Sequence, residues 1–512
     1  MASIKSITAS ILLFSALSTA SVGQILAPSD DIVFAASASA KDPLAWAGAN
    51  SPYRAGPNVY GISNEVPDGC SVKQAAYIVR HGSRFPDSGA YAGWVDLRNR
   101  IQAAKTAGNL TARGSLSFIP NWKTVLTNPT LQISQESMTG YNEGHNLGYQ
   151  LRARYPNFYE DGNQFYVWAN QYASPINESR VVQTAKAFMQ GYLAEFADAY
   201  GTIVSVNSTG SVNAIGNSLG PSDACPAFAA GPSGSDFNNA TDYEAIWTPK
   251  VLKRINSLVD GIEFTQSDIL SMPYLCGFES QITGRLSPWC GVFTDEELEF
   301  YEYSQDLHYY YGIGPGSTTP TNKLFLPFLD SLITLLKAGP DQQGKGVNGT
   351  KFDIPKLLMA FLNDNQIAEL TAGMGIFDAQ ENLPIDRILK DRIYNVANFI
   401  TMRGTVTFEV LNCTSSSPIF EYDSELCASE TYSDYIRILL NDAAYILPHC
   451  HDGPGGSCLL SEYASFISKR SAAAGNFNEY CNVTKAGHPV TVGGASFFSD
   501  LTLDFLEFVA PH

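Results

Sequence analysis

The chain has 512 residues, 45% of them hydrophobic, with a formal net charge of −18 and a pI near 4.8. That length supports a large core and more than one structural unit. So acidic a surface argues against nucleic acid and anionic membranes as partners. A small anionic molecule stays open, because a local group of arginines can oppose the global sign.

The N-terminus reads as a secretory signal over residues 1–23. Lys5 supplies the positive start, "ILLFSAL" (Ile11–Leu17) the short apolar core, and Ser18–Gly23 the small residues where cleavage fits. The apolar stretch is too short to span a bilayer, and no later segment is long enough. The expectation is a secreted protein with no membrane partner. Seven sequons agree with that compartment: Asn109, Asn177, Asn207, Asn239, Asn348, Asn412 and Asn482. Asn128 is excluded because Pro129 follows it.

Residues 24–69 are rich in Ala, Ser, Pro and Gly, and 24–51 read as an extended lead-in. A strand over Ala75–Val79 then ends in "RHGSRFP". Helical spacing follows over Gly89–Ala107 and over Thr139–Tyr155, where Tyr141, Leu147, Leu151 and Tyr155 share a face. Gln164–Ala173 reads as a strand and Ser179–Tyr200 as a long helix. Residues 205–245 are rich in Gly, Ser, Asn and Ala and read as loop, and 339–353 as a second loop. Helices alternate with turns from Thr248 to Lys337. Residues 354–377 read as strand, turn, helix, and "GTVTFEVLNC" and "DYIRILLNDAAYILP" as late strands.

This pattern gives an α/β fold with a mostly helical insertion. The expected division is an α/β domain over 52–204 and 345–482, an insertion over 205–344 and a C-terminal tail over 483–512. The tail segment 495–509 is apolar enough to pack on its own domain or on a second subunit. The oligomeric state is left open.

Nine cysteines without a CxxC pair read as structural disulfides in an oxidising compartment, with one thiol left over. "HCHD" (His449–Asp452) has the composition of a metal site, but a small disulfide loop fits a secreted chain better. No metal or cofactor is expected. His145 reads as structural, and "GHP" at Gly487–Pro489 as a turn. "YEYSQDLHYYYGIG" (301–314), with His308, reads as packing more than as an aromatic substrate wall.

The chemistry concentrates at Arg80-His81-Gly82-Ser83-Arg84. A neutral imidazole is a good nucleophile toward phosphorus, and flanking guanidiniums pair with phosphate oxygens in bidentate fashion. A helix start behind the turn adds its N–H groups. The tripeptide alone also fits a surface loop whose histidine merely packs.

The longer stretch "YIVRHGSRFP" resembles the active-site signature of the histidine acid phosphatases, especially the secreted fungal phytases and acid phosphatases. "MTGYNEGHNLGYQLRARYP", "ESRVVQTAKAFMQGY", "YIRILLNDAAYILPHC" and "SKRSAAAGNFNEYC" extend the likeness over roughly residues 52–482. The resemblance implies a phosphoglycerate-mutase-like sheet flanked by helices. It implies His81 as nucleophile, Arg80, Arg84 and Arg180 as phosphate ligands, and a carboxylic acid that protonates the leaving alcohol. It also implies four disulfides: Cys70 with Cys413, Cys225 with Cys481, Cys276 with Cys290, and Cys450 with Cys458. Cys427 has no counterpart.

The family's acid stands in a His-Asp pair after a late strand. His451-Asp452 has those letters but lies in a Gly/Pro loop with no helix behind it. The aligned turn in "LLMAFLNDNQIAEL" is Asn363-Asp364, so histidine has become asparagine. Asp364 is retained for general-acid work. Asn363 can donate a neutral hydrogen bond to phosphate, or simply cap the helix with Gln366 three residues on. Charge-assisted bonds are about twice as strong as neutral ones, so weaker phosphate binding or a changed pH profile is expected. The expected function is an acid phosphomonoesterase acting on a small phosphate ester. A phytase is the alternative, and a weakly active or non-catalytic phosphate-ester binder the second.

Overall fold

The computed structural model describes residues 42–171, 179–230, 238–415 and 431–512. Its centre is a nine-stranded mixed sheet. The strands are β1 (Cys70–Arg80), β2 (Phe165–Asn170), β3 (Gly201–Val206), β4 (Leu357–Leu362), β5 (Thr405–Ser415), β6 (Thr431–Leu440), β7 (Ala443–Tyr445), β8 (Cys458–Leu459) and β9 (Leu506–Val509). They lie in the order β7, β6, β5, β1, β4, β2, β3, β9, with β8 on β6. β1, β4, β2 and β3 are parallel, while β5 and β9 run antiparallel to β1 and β3.

The central stretches of the parallel strands are largely apolar because helices cover both faces. β4, "LLMAFL", is buried at every position. β1 alternates: Tyr77 and Val79 enter one core, Ala76 and Ile78 the other. Helices α1 (Ser88–Thr106), α2 (Met138–Arg154) and α3 (Arg180–Leu193) follow in sequence. α4 (Asn238–Asn256), α5 (Gln266–Thr283), α6 (Asp295–Gly312) and α7 (Leu326–Ala338) fill the stretch between β3 and β4. α8 (Asp364–Met374) and α9 (Leu460–Ala474) complete the long helices. Leu147, Leu151 and Phe188 from α2 and α3 close the smaller core. Trp247, Phe278 and Leu329 from the inserted helices share the larger one with Ile78, Trp168 and Leu362.

Several expectations needed revision. Residues 205–245 are not one loop. β3 runs to Val206, a short helix spans Pro226–Ala230, and α4 has begun by Asn238. Polar composition hid α4, whose Ala240, Tyr243 and Trp247 are buried at helical spacing. The helix expected over Ser179–Tyr200 breaks after Leu193, where Ala194 takes a positive φ of 52°. The loop expected over 339–353 holds a small hairpin, Gln343–Lys345 with Lys351–Asp353. Tyr141 is exposed rather than inward. The C-terminal segment packs on its own domain: β9 pairs with β3, and Phe497, Phe498 and Phe505 are buried.

The four disulfides join the pairs that the resemblance implied. With Cys450 bonded to Cys458, "HCHD" has no free thiolate to offer a metal. The signal segment, Asn177 and Cys427 lie outside the described residues. Asn109, Asn348 and Asn482 are exposed, as glycan attachment requires, while Asn207, Asn239 and Asn412 are half-buried. Among the described residues no helix is long and apolar enough to cross a membrane.

One buried ion cluster ties β5, β6 and α2 together. Glu409 accepts from Arg437 Nε at 2.9 Å and Arg154 Nη2 at 2.8 Å, and from the Tyr155 hydroxyl. Burial alone would raise this carboxyl, but Arg154 and then Arg437 pull it down to about 2. A depressed carboxylate adds stability above its unfolded pKa and loses it only as pH falls through the folded one. The cluster therefore keeps its charge, and its contribution, well into acid.

Candidate active site

The site forms where the parallel strands end, the usual place for a ligand in an open α/β sheet. β1 delivers Arg80 and then His81. The backbone N–H of Arg80 donates to Gly404 O at 2.7 Å and that of His81 to Leu362 O at 2.9 Å, so the turn is pinned between β5 and β4. β4 delivers Asn363 and Asp364 at the start of α8. Arg180 is the first residue of α3, whose N-cap Ser179 accepts from Val182 N. Two helix N-termini and three guanidiniums therefore meet at one spot. The structure brings together all six residues singled out in the sequence: Arg80, His81, Arg84, Arg180, Asn363 and Asp364.

His81 is fully buried. Its Nδ1 lies 2.8 Å from Gly82 O, which assigns the proton to Nδ1. Nε2 has no protein partner among the described residues and keeps its lone pair. Burial holds the imidazole well below its ordinary pKa, with Arg180, Arg80 and Arg84 adding to the effect. The ring is thus neutral at its ordinary pKa and for some way below it.

Arg80 is also buried, with Nη1 donating to the carbonyls of Ala49 at 2.5 Å and Ile400 at 2.7 Å. Its Nη2 lies 3.5 Å from Asp364 Oδ2. Arg84 sits 5.1 Å over the Phe278 ring, and its backbone N–H donates to Gln281 Oε1 at 3.1 Å. Arg180 Nη2 donates to Asn363 Oδ1 at 3.2 Å. Asn363 N–H donates to Gln366 Oε1 at 3.2 Å in a capping box. Asn363 is therefore both a cap and an arginine partner.

The Asp364 side chain is one-quarter exposed. Burial raises its carboxyl, but Arg80, a hydrogen bond from Tyr309 and Arg84 together hold it far below the usual carboxylate range. It is ionised in the free protein.

Sequence reasoning missed the residues that hold the turn. Glu143 on α2 accepts from Ser83 N at 2.6 Å, Ser83 Oγ at 2.9 Å and Tyr53 N at 2.8 Å. Thr184 Oγ1 accepts from Gly82 N at 2.9 Å and donates to buried Glu136 at 2.6 Å. Gly140 lets α2 touch the turn: a Cβ there would lie 2.1 Å from Ser83 O. A signal was present, since Glu143 and Gly140 both fall within "MTGYNEGHNLGYQ". Tyr309 was hidden among the tyrosines of α6. Its hydroxyl donates to Asp364 Oδ2 at 2.7 Å.

Residues 71–441 match the histidine phosphatase superfamily, branch 2. The chain belongs to that family. Membership makes it a phosphomonoesterase of the histidine acid phosphatase type. The repressible acid phosphatase of Saccharomyces cerevisiae is 26% identical, with 88% of each chain covered. The acid phosphatase PHO1 of Komagataella pastoris is 28% identical over 88% of this chain and 89% of its own. The phytase PHO112 of Candida albicans is 26% identical over 86% and 87%. In fold, the phytase from D. castellii superposes with a TM-score of 0.72 over 89% of this chain and 90% of its own, at 23% identity.

Proposed function

We propose that this chain is a secreted acid phosphatase that hydrolyses small phosphate monoesters through a phosphohistidine on His81. The observation that carries the reading is a buried, neutral imidazole whose free Nε2 stands among three arginines, with a carboxyl opposite. The Nε2 lone pair attacks phosphorus, and the bond to the ester oxygen breaks. Arg80, Arg84 and Arg180 hold the equatorial oxygens and offset the charge that grows there. Asp364 gives its proton to the departing alkoxide. Water then attacks the phosphohistidine, Asp364 takes back a proton, and phosphate leaves.

The ionised state of Asp364 in the free protein fixes how the proton arrives. A bound phosphate offsets the arginines, and a monoanionic ester brings the proton itself. Phosphate monoesters lose that proton near pH ~6. In the complex that proton is shared between the ester and Asp364, so turnover should fall as pH rises and the pair loses it, while His81 stays neutral well below its ordinary pKa.

A general monoesterase is favoured over an inositol hexakisphosphate specialist by what surrounds the arginines. Phe278 lies under Arg84, Tyr274 stacks on Phe278 with ring centres 4.5 Å apart, and Gln281 holds the turn. Two of the three basic residues of α1 are engaged elsewhere: Arg100 binds Asp96 and Asp268, and Lys105 binds Pro120 O, while Arg98 Nε has no hydrogen-bond partner among the described residues. Relatives named as acid phosphatases and as a phytase leave both chemistries in view. The test compares kcat/KM for p-nitrophenyl phosphate, β-glycerophosphate and inositol hexakisphosphate at about pH 5. Monoesters should be preferred about tenfold or more, some 1.4 kcal/mol in the transition state. Preference for the hexakisphosphate would reverse the ranking. Secretion is supported by the N-terminal signal pattern and the four disulfides.

A further inference from the structure

We propose that Tyr309, from the inserted helix α6, is a positioning residue for the proton step: it tethers Asp364 Oδ2 beside Arg80, so that Oδ1 carries the proton to the leaving oxygen. The inference deepens the phosphatase reading above and rests on Asp364 being the acid. Two contacts carry it. The Tyr309 hydroxyl donates to Oδ2 at 2.7 Å, and Arg80 Nη2 lies 3.5 Å from the same atom. Both contacts fall on Oδ2, and the side chain keeps one quarter of its surface exposed. The Tyr309 ring is buried, with the His308 ring edge-on at 5.3 Å, so its hydroxyl has little freedom to turn away.

Such a tether does two things. It fixes the rotamer of the acid, which keeps the proton within reach of the reacting oxygen. It also stabilises the carboxylate over the acid, because a hydroxyl that donates to an anion favours the charged form. Other groups act on the same carboxyl. Arg80, His81 and Arg84 face it from the end of β1 and the turn, His308 from α6 and Tyr274 from α5. Tyr394 faces Tyr309 from behind. Only Tyr309 among these donates a hydrogen bond to it. The inserted helical layer thus reaches the proton chemistry directly.

Tyr309→Phe keeps the ring and removes the tether, so the fold is preserved and thermal unfolding checks that. The experiment records kcat against pH for β-glycerophosphate, a poor leaving group, and p-nitrophenyl phosphate, a good one. In Tyr309→Phe the alkaline limb for β-glycerophosphate should move up by about one pH unit, since the freed acid holds its proton longer. Its kcat should drop about tenfold, with p-nitrophenyl phosphate little changed. In an Asp364→Asn background the same substitution should add nothing, because its target is gone. An unmoved limb, equal losses on both substrates, or a loss that persists beside Asp364→Asn would overturn Tyr309's role and leave Asp364 as the acid. Wild-type turnover of β-glycerophosphate by Asp364→Asn alone would overturn the acid assignment, and Tyr309's role with it.

Discussion

His81→Ala is expected to lower turnover of p-nitrophenyl phosphate by about 10⁴-fold or more at every pH from about 2.5 to 7. The size follows from what remains. Arg80, Arg84 and Arg180 would still bind the ester, but water would have to attack phosphorus with no activated nucleophile. Alanine also removes a ring that Gly82 O orients and three guanidiniums surround. Binding should persist, so KM or phosphate affinity changes little while kcat collapses. That split separates loss of the nucleophile from loss of the site. Substantial turnover in this variant would remove the phosphohistidine from the mechanism.

The second large effect concerns the leaving group. Asp364→Asn should cost about 10²–10⁴-fold in kcat on β-glycerophosphate, the range of general-acid catalysis. On p-nitrophenyl phosphate the loss should be far smaller, because nitrophenolate departs without a proton. Asparagine keeps the shape at the start of α8, so folding is not the variable. Equal losses on both esters would mean that Asp364 acts by charge or geometry rather than as a proton donor. Asn363 sets a related limit. Its Oδ1 accepts from Arg180 Nη2 at 3.2 Å, so replacing it would free that arginine to move.

The parts of the site that read directly from the sequence are those where chemistry and element coincide. "AAYIVRHGSRFP" contains its own strand and turn, and "LLMAFLNDNQIAEL" its own strand, cap and helix start. Each fixes its side chains within a few residues, so local pattern suffices. Arg180 was legible for the same reason, at the cap of a strongly periodic helix. What pattern could not reach are contacts between layers. Tyr309 meets Asp364 across 55 positions of chain, from a helix whose other tyrosines bond to groups away from the site. Glu143 meets Ser83 across 60. Edge pairing was equally invisible, since β9 finds β3 from the far end of the chain. The loop expected over 205–245 failed because Asn, Ala and Thr conceal helical spacing until Tyr243 and Trp247 are seen packing inward.

Covalent transfer to His81 can be read by trapping the phosphoryl-enzyme. Wild-type protein is mixed with radiolabelled phosphate ester, quenched within a turnover into alkaline denaturant, where phosphohistidine survives, and digested for peptide mapping. Label is expected on the peptide that contains His81, attached at Nε2, and none in His81→Ala. Rapid turnover with no labelled protein, or label on another residue, would contradict it.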